Sequence, residues 1–394
     1  MNREDLKSSA NGRVITVGRP PYDYTAFVPN PLPPKNIPLN ELGVLLSEAD
    51  RAMGALSEAG SRLKNPYLLI APNIRREAVL SSRIEGTETS LSDLFFYEAA
   101  PSAPPRSPDI KEVVNYVRAV EHGLTRVRDI AVSVRLIKEL HKTLLTEVRG
   151  SHATPGELRT SQNWIGPEGC KLNEATFVPP PVEEMKDALS QWERFYHDGP
   201  KMPPLISTAL LHYQFEAIHP FLDGNGRVGR LLITLILIES GVIPLPLLYL
   251  SGYFEKTRPE YYARLLQVST EGDWKGWLKY FLVAVKTQAR EALDCTRALL
   301  SLREAYLARI KEFGATKAIF GLVDRLIGNP YVTVAALANE TGVSYPASQN
   351  AIQKLVGAGI LKEITGFKRN RVYLCSEVLS LLEPRGSSTF TPGF

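Results

Sequence analysis

Apolar residues recur every three or four positions along most of residues 111–288, a spacing that places them on one face of a helix. Residues 231–238 form a longer apolar run, but this run is far shorter than the ~20 residues that a membrane span needs. We interpret this run as a buried core helix. Two of the helical faces consist of Leu136, Ile137, Leu140 and Leu144, and of Ile206, Ala209, Leu210 and Tyr213.

Three segments outside this pattern differ from it in composition and in the spacing of their apolar residues. Residues 18–38 are rich in Pro and Tyr, which excludes a helix and indicates a strap docked on a domain surface. Residues 159–181 hold two extended pieces, QNWI and ATFVP, around a polar loop, and they predict a β-hairpin. Residues 73–85 predict a helix that ends at Gly86, and residues 100–109 an exposed linker.

The C-terminal part predicts a winged helix-turn-helix domain. A short helix leads to a turn at Gly342, a second helix covers residues 345–357, and a basic hairpin follows to residue 374. The predicted fold is therefore mainly α: a helical core with a small β-hairpin, plus a winged helix. The predicted divisions are an N-terminal region 1–110, a core 111–290, a connector helix 291–314, the winged helix 315–383 and a tail 384–394.

Composition bounds the class of protein without naming a function. The 394 residues include 46 Lys and Arg against 42 Asp and Glu, a net charge of +4 that is too small to indicate nucleic acid by itself. The three cysteines are scattered without a metal-binding spacing, which fits a reducing compartment. No apolar signal segment opens the chain, so we expect a cytoplasmic protein without membrane contact.

Candidate chemistry is concentrated in residues 219–230, HPFLDGNGRVGR. Residues 224–229 match G-x-G-x-x-G, but the preceding segment has helical rather than strand periodicity, so a dinucleotide fold is excluded. A P-loop sequence is also absent. Each feature taken alone is ordinary: Gly-Asn-Gly is usually a turn, and a lone His before Pro is usually structural. Their coincidence in one short stretch indicates a site.

Helix, loop and helix in this stretch suit a polyphosphate. Glycines allow the loop to aim several N–H groups at one point, and the N-terminus of the following helix adds positive potential. Arg227 and Arg230 are three residues apart and so lie on nearly one face. Asp223 supplies an oxygen ligand suited to Mg²⁺, and His219 can remove a proton from a hydroxyl.

Residues 219–230 match in full the signature of the Fic family, HPFx(D/E)GNGRxxR, and the chain resembles a long, three-part bacterial subgroup of that family. The resemblance implies a protein adenylyltransferase that moves AMP from ATP to a Tyr, Thr or Ser hydroxyl of a target protein and of itself. His219 would be the general base, and Asp223 would hold Mg²⁺ or Mn²⁺. The implied nucleotide-binding residues are Gly224, Asn225, Gly226, Arg227, Val228, Gly229, Arg230, Tyr261 and Tyr262.

A second motif resembles the family's inhibitory pattern, (S/T)xxxE(G/N). Here it comprises Ser81, Glu85 and Gly86, and the resemblance implies that Glu85 pairs with Arg230 and misplaces the γ-phosphate. Glu85 would also be placed to position a water for removal of AMP. The hairpin of residues 159–181 resembles the family's flap, on which a target protein docks by main-chain pairing. The resemblance further implies a homodimer.

An alternative function of another class is a DNA-binding regulator whose core senses nucleotide. It rests on the winged helix and on a basic cluster: Lys354, Lys362, Lys368, Arg369 and Arg371. Winged helices also mediate protein contacts, so both partners stay open at this point.

Overall fold

The computed structural model describes residues 11–19, 23–61, 65–148, 150, 153–167, 169–199, 201–312, 317–367 and 369–383. The predicted tail and Lys368 lie outside the described residues. Within the described residues the fold is mainly helical with two small sheets, which confirms the predicted class. No helix in these ranges is long and apolar enough to cross a bilayer.

The elements of the N-terminal half are, in chain order, β1 (Gly12–Val17), β2 (Tyr24–Pro29), α1 (Leu39–Ser61), α2 (Tyr67–Ile84), α3 (Leu91–Ala99), α4 (Ile110–Arg126), α5 (Val134–Leu144), α6 (Val182–His197) and α7 (Pro204–Ile218). Those of the C-terminal half are α8 (Asn225–Glu239), α9 (Ser251–Lys256), α10 (Arg258–Glu271), α11 (Trp274–Lys311), α12 (Lys317–Gly328), β3 (Tyr331–Thr333), α13 (Val334–Thr341), α14 (Tyr345–Gly357), β4 (Lys362–Glu363), β5 (Val372–Leu374) and α15 (Ser376–Leu382).

Two compact units make up the described chain. The first takes its residues from 1–54, 115–244 and 253–289, and the second from 55–114, 245–252 and 290–394. The region predicted as N-terminal, residues 1–110, therefore contributes to both units. Residues 291–311 of the predicted connector form the C-terminal part of the single helix α11. The predicted division into five parts stays a prediction.

Helices α7 and α8 pack together in the core of the first unit, and nearly all of their residues are buried. Two indoles fix α7 from outside: Trp192 Nε1 donates to Leu211 O at 2.9 Å, and Trp277 Nε1 donates to Ala209 O at 2.9 Å. The apolar run 231–238 lies in α8, and all but its last residue is buried, as the sequence predicted. These two helices carry the candidate motif between them.

Strands β1 and β2 form an antiparallel hairpin where the sequence predicted only a strap. Phe27 N donates to Val178 O at 2.9 Å, so β2 attaches to one end of the segment 159–181, which we call the flap. Ala26 of β2 packs with Ala175 and Val178 of the flap in a small apolar cluster that stabilises this attachment. The flap itself closes through one antiparallel bridge, Ile165 with Phe177.

The second unit packs α2 and α3 against C-terminal elements. Helix α2 contacts α12 and α15, and α3 contacts β3. Ser92 and Tyr331 share a buried hydroxyl hydrogen bond of 2.6 Å, and the Phe96 ring meets Tyr331 edge-on. The three-stranded sheet has the order β3-β5-β4. Helix α14 has the bounds that the sequence predicted, and Gly342 makes the expected turn at a φ of 66°.

Candidate active site

Helix α7 ends at Ile218, and it cannot continue past His219 because Pro220 lacks the N–H that a further helical turn would need. His219 caps the helix in the left-handed conformation, with φ 50° and ψ 61°. Its Nδ1 lies 3.2 Å from Glu216 O. A carbonyl oxygen only accepts, so Nδ1 carries the proton and Nε2 keeps its lone pair. The half-buried imidazole is thus set as a proton acceptor at Nε2.

The loop after His219 is held by the side chain of Asn225. Phe221 N donates to Asn225 Oδ1 at 2.9 Å, and Asn225 Nδ2 donates back to Phe221 O at 2.8 Å. The resemblance implies that Asn225 binds the nucleotide, which stays a prediction, and the structure gives its side chain the loop backbone as partner. The side chain is 2% exposed, so its contribution to an anion site would come from the main chain.

An anion site can form where α8 begins. Gly224 adopts a φ of 77°, which glycine tolerates, and the helix starts at the next residue. The first N–H groups of a helix have no partner inside it and carry partial positive charge. Arg227 and Arg230 are 4% and 3% exposed, so two guanidinium groups are held in a largely desolvated position on the first turns of α8. Asp223 stands at the edge, its side chain 47% exposed.

Two residues of the predicted nucleotide-binding set face the protein interior. Val228 is 1% exposed, and its N–H donates to Gly224 O at 3.0 Å. Gly229 packs against α7 so closely that a Cβ there would overlap Glu216 Oε1. Its carbonyl lies 3.2 Å from Nδ1 of His212. Both positions therefore set the spacing between α7 and α8, and their contact with a nucleotide stays a prediction.

The tyrosine pair divides between core and surface. Tyr261 is 1% exposed, its hydroxyl bonds to His212 Nε2 at 2.9 Å, and its ring stacks on Phe254 at 4.5 Å. Tyr262 is 41% exposed, with the Arg258 guanidinium 5.9 Å above its ring. A planar base can reach the ring of Tyr262, whereas the ring of Tyr261 is covered by the core. The adenine contacts stay a prediction.

His141, which no sequence pattern predicted as a site residue, supports the loop between α7 and α8. Gly156 N donates to its Nδ1 at 2.8 Å, so Nε2 is the protonated nitrogen and donates to Asp223 O at 3.0 Å. The ring stacks on Phe221 at 3.8 Å. Burial lowers the pKa of His141 to about 4, helped by the charge of Arg227, so the ring is neutral near pH 7. No local motif marks this residue, because it reaches the site through tertiary packing.

The second motif lies at the end of α2. Ser81 is fully buried, Glu85 is exposed and caps the helix with φ −88°, and Gly86 takes a φ of 95°. The predicted helix end at Gly86 is therefore confirmed. Glu85 belongs to the second unit and Arg230 to the first.

The geometry defines a class of site: in a helical protein, a histidine with Nδ1 protonated lies one loop before a helix N-terminus that carries two buried arginines. Residues 131–237 match the Fic/DOC family, and residues 44–125 match the Fic/DOC family N-terminal region. Two regions of the chain therefore match Fic/DOC family models, which supports the resemblance at that level.

Relatives and a solved structure extend this match. The chain is 32% identical to protein adenylyltransferase fic-1 of Caenorhabditis briggsae over 38% of this chain and 26% of the relative. It is 32% identical to the fic-1 protein of Caenorhabditis elegans over 44% of this chain and 33% of that one. The chain thus matches about a quarter to a third of the length of these curated relatives. A Fic family protein from Desulfovibrio desulfuricans shares the fold, with a TM-score of 0.56 at 20% identity over 87% of this chain and 98% of the other.

Proposed function

We propose that the protein is a protein adenylyltransferase that transfers AMP from ATP to a Tyr, Thr or Ser hydroxyl of a target protein and of itself. One observation carries the proposal: Nδ1 of His219 lies 3.2 Å from Glu216 O, which makes Nε2 the proton-accepting nitrogen of a histidine on the loop that leads into α8. Curated relatives that are named protein adenylyltransferases support it.

The reaction follows from the charges around the motif. The target oxygen bonds to the α-phosphorus while the bond from that phosphorus to the bridging oxygen breaks, and pyrophosphate leaves. The hydroxyl proton goes to Nε2 of His219. Negative charge grows on the bridging oxygen and pyrophosphate, and the buried guanidinium groups of Arg227 and Arg230 stabilise it without reorganising.

Asp223 fits a divalent cation that is held mainly by phosphates. A site of this kind needs one or two protein carboxylates plus substrate oxygens, and Asp223 offers a half-exposed carboxylate. In the part of the chain that the structure describes, no cluster of three or more acidic, His or Cys residues forms a cage for a metal. Bound there with ATP, Mg²⁺ or Mn²⁺ would neutralise phosphate charge.

Transfer should be visible on the chain itself and should stop when metal is removed. With ATP labelled at the α-phosphate we expect label on the protein, and with ATP labelled at the γ-phosphate none. A chelator should abolish labelling, and Asp223→Ala should lower it by about a hundredfold or more, since charge stabilisation of a leaving group is lost. Label from the γ-position would contradict AMP transfer. Full labelling of Asp223→Ala in chelator would contradict the metal assignment.

The proposal includes regulation by the motif Ser81, Glu85 and Gly86. Glu85 would pair with Arg230, so that ATP binds with its γ-phosphate displaced, and it would also orient a water for the reverse reaction. A target protein would dock on the flap by main-chain pairing. The exposed side chains of Trp164 and Ile165, 41% and 38% exposed, support contact with a partner there. The homodimer and the cytoplasmic location belong to the same proposal.

We further propose that the C-terminal elements form a winged helix that contacts DNA. The order helix, strand, helix, helix, strand, strand supports the winged helix. The side chains of α14 that carry amide groups, Gln349, Asn350 and Gln353, are exposed, as are Arg369 and Arg371 beside β5. Amides can bond base edges, and arginines can bond phosphates.

A shift of random duplex DNA tests this second function. We expect binding that weakens steeply as salt rises, and a loss of about tenfold for the double variant Arg369→Ala and Arg371→Ala at low salt, since each lost phosphate contact removes a counterion-release term. The matched control, Arg135→Ala on α5, removes an exposed arginine from the first unit and should leave binding unchanged. Absence of any salt-dependent shift would remove DNA as the partner.

A further inference from the structure

The carbonyl of His219 accepts two side-chain hydrogen bonds. Arg159 Nε donates to it at 2.9 Å and Asn163 Nδ2 at 3.2 Å. The same Asn163 amide donates to Phe221 O at 2.8 Å. Since His219 is one of few non-glycine residues with positive φ among the described residues, its backbone is held in a conformation that it would not favour alone. Two donors from the flap maintain that conformation.

Arg159 spreads its guanidinium over three backbone segments. Besides His219 O, Nη1 donates to Ser161 O at 3.2 Å, and Nη2 donates to Pro180 O. The main-chain N–H of Arg159 also donates to Pro220 O at 3.0 Å. The side chain is 0% exposed, and burial lowers its pKa to about 10, so it remains charged near pH 7. Burying a charge is costly, and here the compensating partners are carbonyl dipoles.

These carbonyls belong to both ends of the flap. We call residues 159–163 and 177–180 the flap root. The root is attached on its far side to the N-terminal hairpin, where Tyr24 donates to Gln162 Oε1 at 3.1 Å and Phe27 N donates to Val178 O. Gln162 in turn donates to Pro179 O at 3.0 Å. The flap root is therefore fixed on one side to β2 and on the other to His219.

We propose that Arg159, with Asn163, is a positioning residue that fixes the catalytic histidine relative to the flap root. A target held on the flap would then present its hydroxyl in register with Nε2 of His219, because one guanidinium sets both positions. This inference rests on the proposed transferase function. It gives Arg159 no contact with ATP, so the rate of transfer depends on it and the affinity for ATP does not.

Lysine cannot replace Arg159 in this role. Its ammonium is a compact point charge with one nitrogen, whereas the guanidinium is a rigid planar fork whose nitrogens reach carbonyls in different directions. For Arg159→Lys we expect kcat to fall by about tenfold to a hundredfold, the range that misplacement of a catalytic group produces. The KM and the Kd for ATP should stay at their wild-type values. For Asn163→Ala, which keeps the Arg159 bond, we expect a smaller fall in kcat.

A spectroscopic readout tests the positioning without relying on transfer. In ¹⁵N-histidine NMR the resonances of His219, assigned by their loss in His219→Asn, should show one tautomer with Nδ1 protonated. In Arg159→Lys we expect a mixture of the two tautomers. The matched control is Arg126→Lys, since Arg126 on α4 bonds to Glu139 in the same unit and to no residue of the site. It should leave kcat and the His219 spectrum unchanged.

The outcomes distinguish the positioning role of Arg159 from the proposed transferase function. A folded Arg159→Lys variant with wild-type kcat and an unchanged His219 tautomer overturns the positioning role. A parallel loss of kcat, ATP affinity and melting temperature in both Arg159→Lys and Asn163→Ala also overturns it, because such a loss means a role in folding alone. If wild-type protein transfers no AMP, the proposed function fails, and the NMR comparison still decides whether Arg159 fixes the imidazole.

Discussion

Replacing Glu85 by glycine should raise self-modification with AMP, on the order of a hundredfold, above the wild-type level. Truncating a carboxylate normally weakens an enzyme or leaves it unchanged, so a gain is a discriminating result. The physical reason is competition for Arg230, which is 3% exposed on the first turns of α8. Since charge pairs in a desolvated site are strong, a Glu85 carboxylate paired there would exclude the γ-phosphate.

The backbone at position 85 makes this substitution a clean one. Glu85 has φ −88° and ψ 4°, a conformation open to any residue, and it follows the last helical residue of α2. The measurement is labelling from α-labelled ATP at equal amounts of folded protein. Glu88→Gly is the matched control, because Glu88 is exposed three residues further along the chain and its main-chain N–H, which bonds to Asp109, is kept by glycine. Equal labelling in wild type and Glu85→Gly would remove self-inhibition.

Loss of the His219 imidazole should abolish transfer while ATP still binds. General-base catalysis contributes roughly a hundredfold to ten-thousandfold to a reaction rate. We therefore expect the rate of transfer by His219→Ala to be lower than that of the wild type by a factor in that range. The groups proposed to bind phosphate lie on the main chain of the loop and on α8, and the substitution leaves them in place. Transfer is measured with α-labelled ATP in the Glu85→Gly background, and ATP binding by calorimetry.

A second variant guards the His219 test against a misfolded loop. The residue sits at φ 50°, and asparagine adopts this region more readily than alanine does. His219→Asn should therefore keep the wild-type melting temperature and remain inactive. Loss of ATP binding in a folded His219→Asn would mean that the histidine holds the loop, and the assignment as a base would be wrong.

Local patterns predicted the parts of the fold that local forces determine. The bounds of α14, the end of α2 at Gly86 and the burial of residues 231–238 follow from caps and periodicity. The motif also located the loop between α7 and α8. By contrast, the pairing of β1 with β2 was missed, because a Pro-rich stretch hides a strand whose stability comes from packing on the flap root.

The supporting residues of the site were missed for the same reason. His141, Arg159 and Asn163 act through main-chain carbonyls of residues 56 to 82 positions away along the chain. A bond of this kind leaves no spacing rule in the sequence. The side-chain bonds of Asn225 are also invisible there, since the motif suggests a phosphate ligand while the structure uses the amide to close the loop.

The packing of α3 on β3 has a consequence for how the chain can be shortened. Removing residues 317–383 would strip Ser92 of its Tyr331 partner and take Asn329 away from Phe95 O. Phe96, now 6% exposed, would lose the Tyr331 ring that meets its own ring edge-on. Since α2 contacts α12 and α15, and α3 contacts β3, we expect these elements to unfold together. A shortened chain would lose contacts that support the segment with Glu85, the proposed inhibitory residue. It would lose the proposed DNA-contacting surface at the same time, whether or not DNA is bound there.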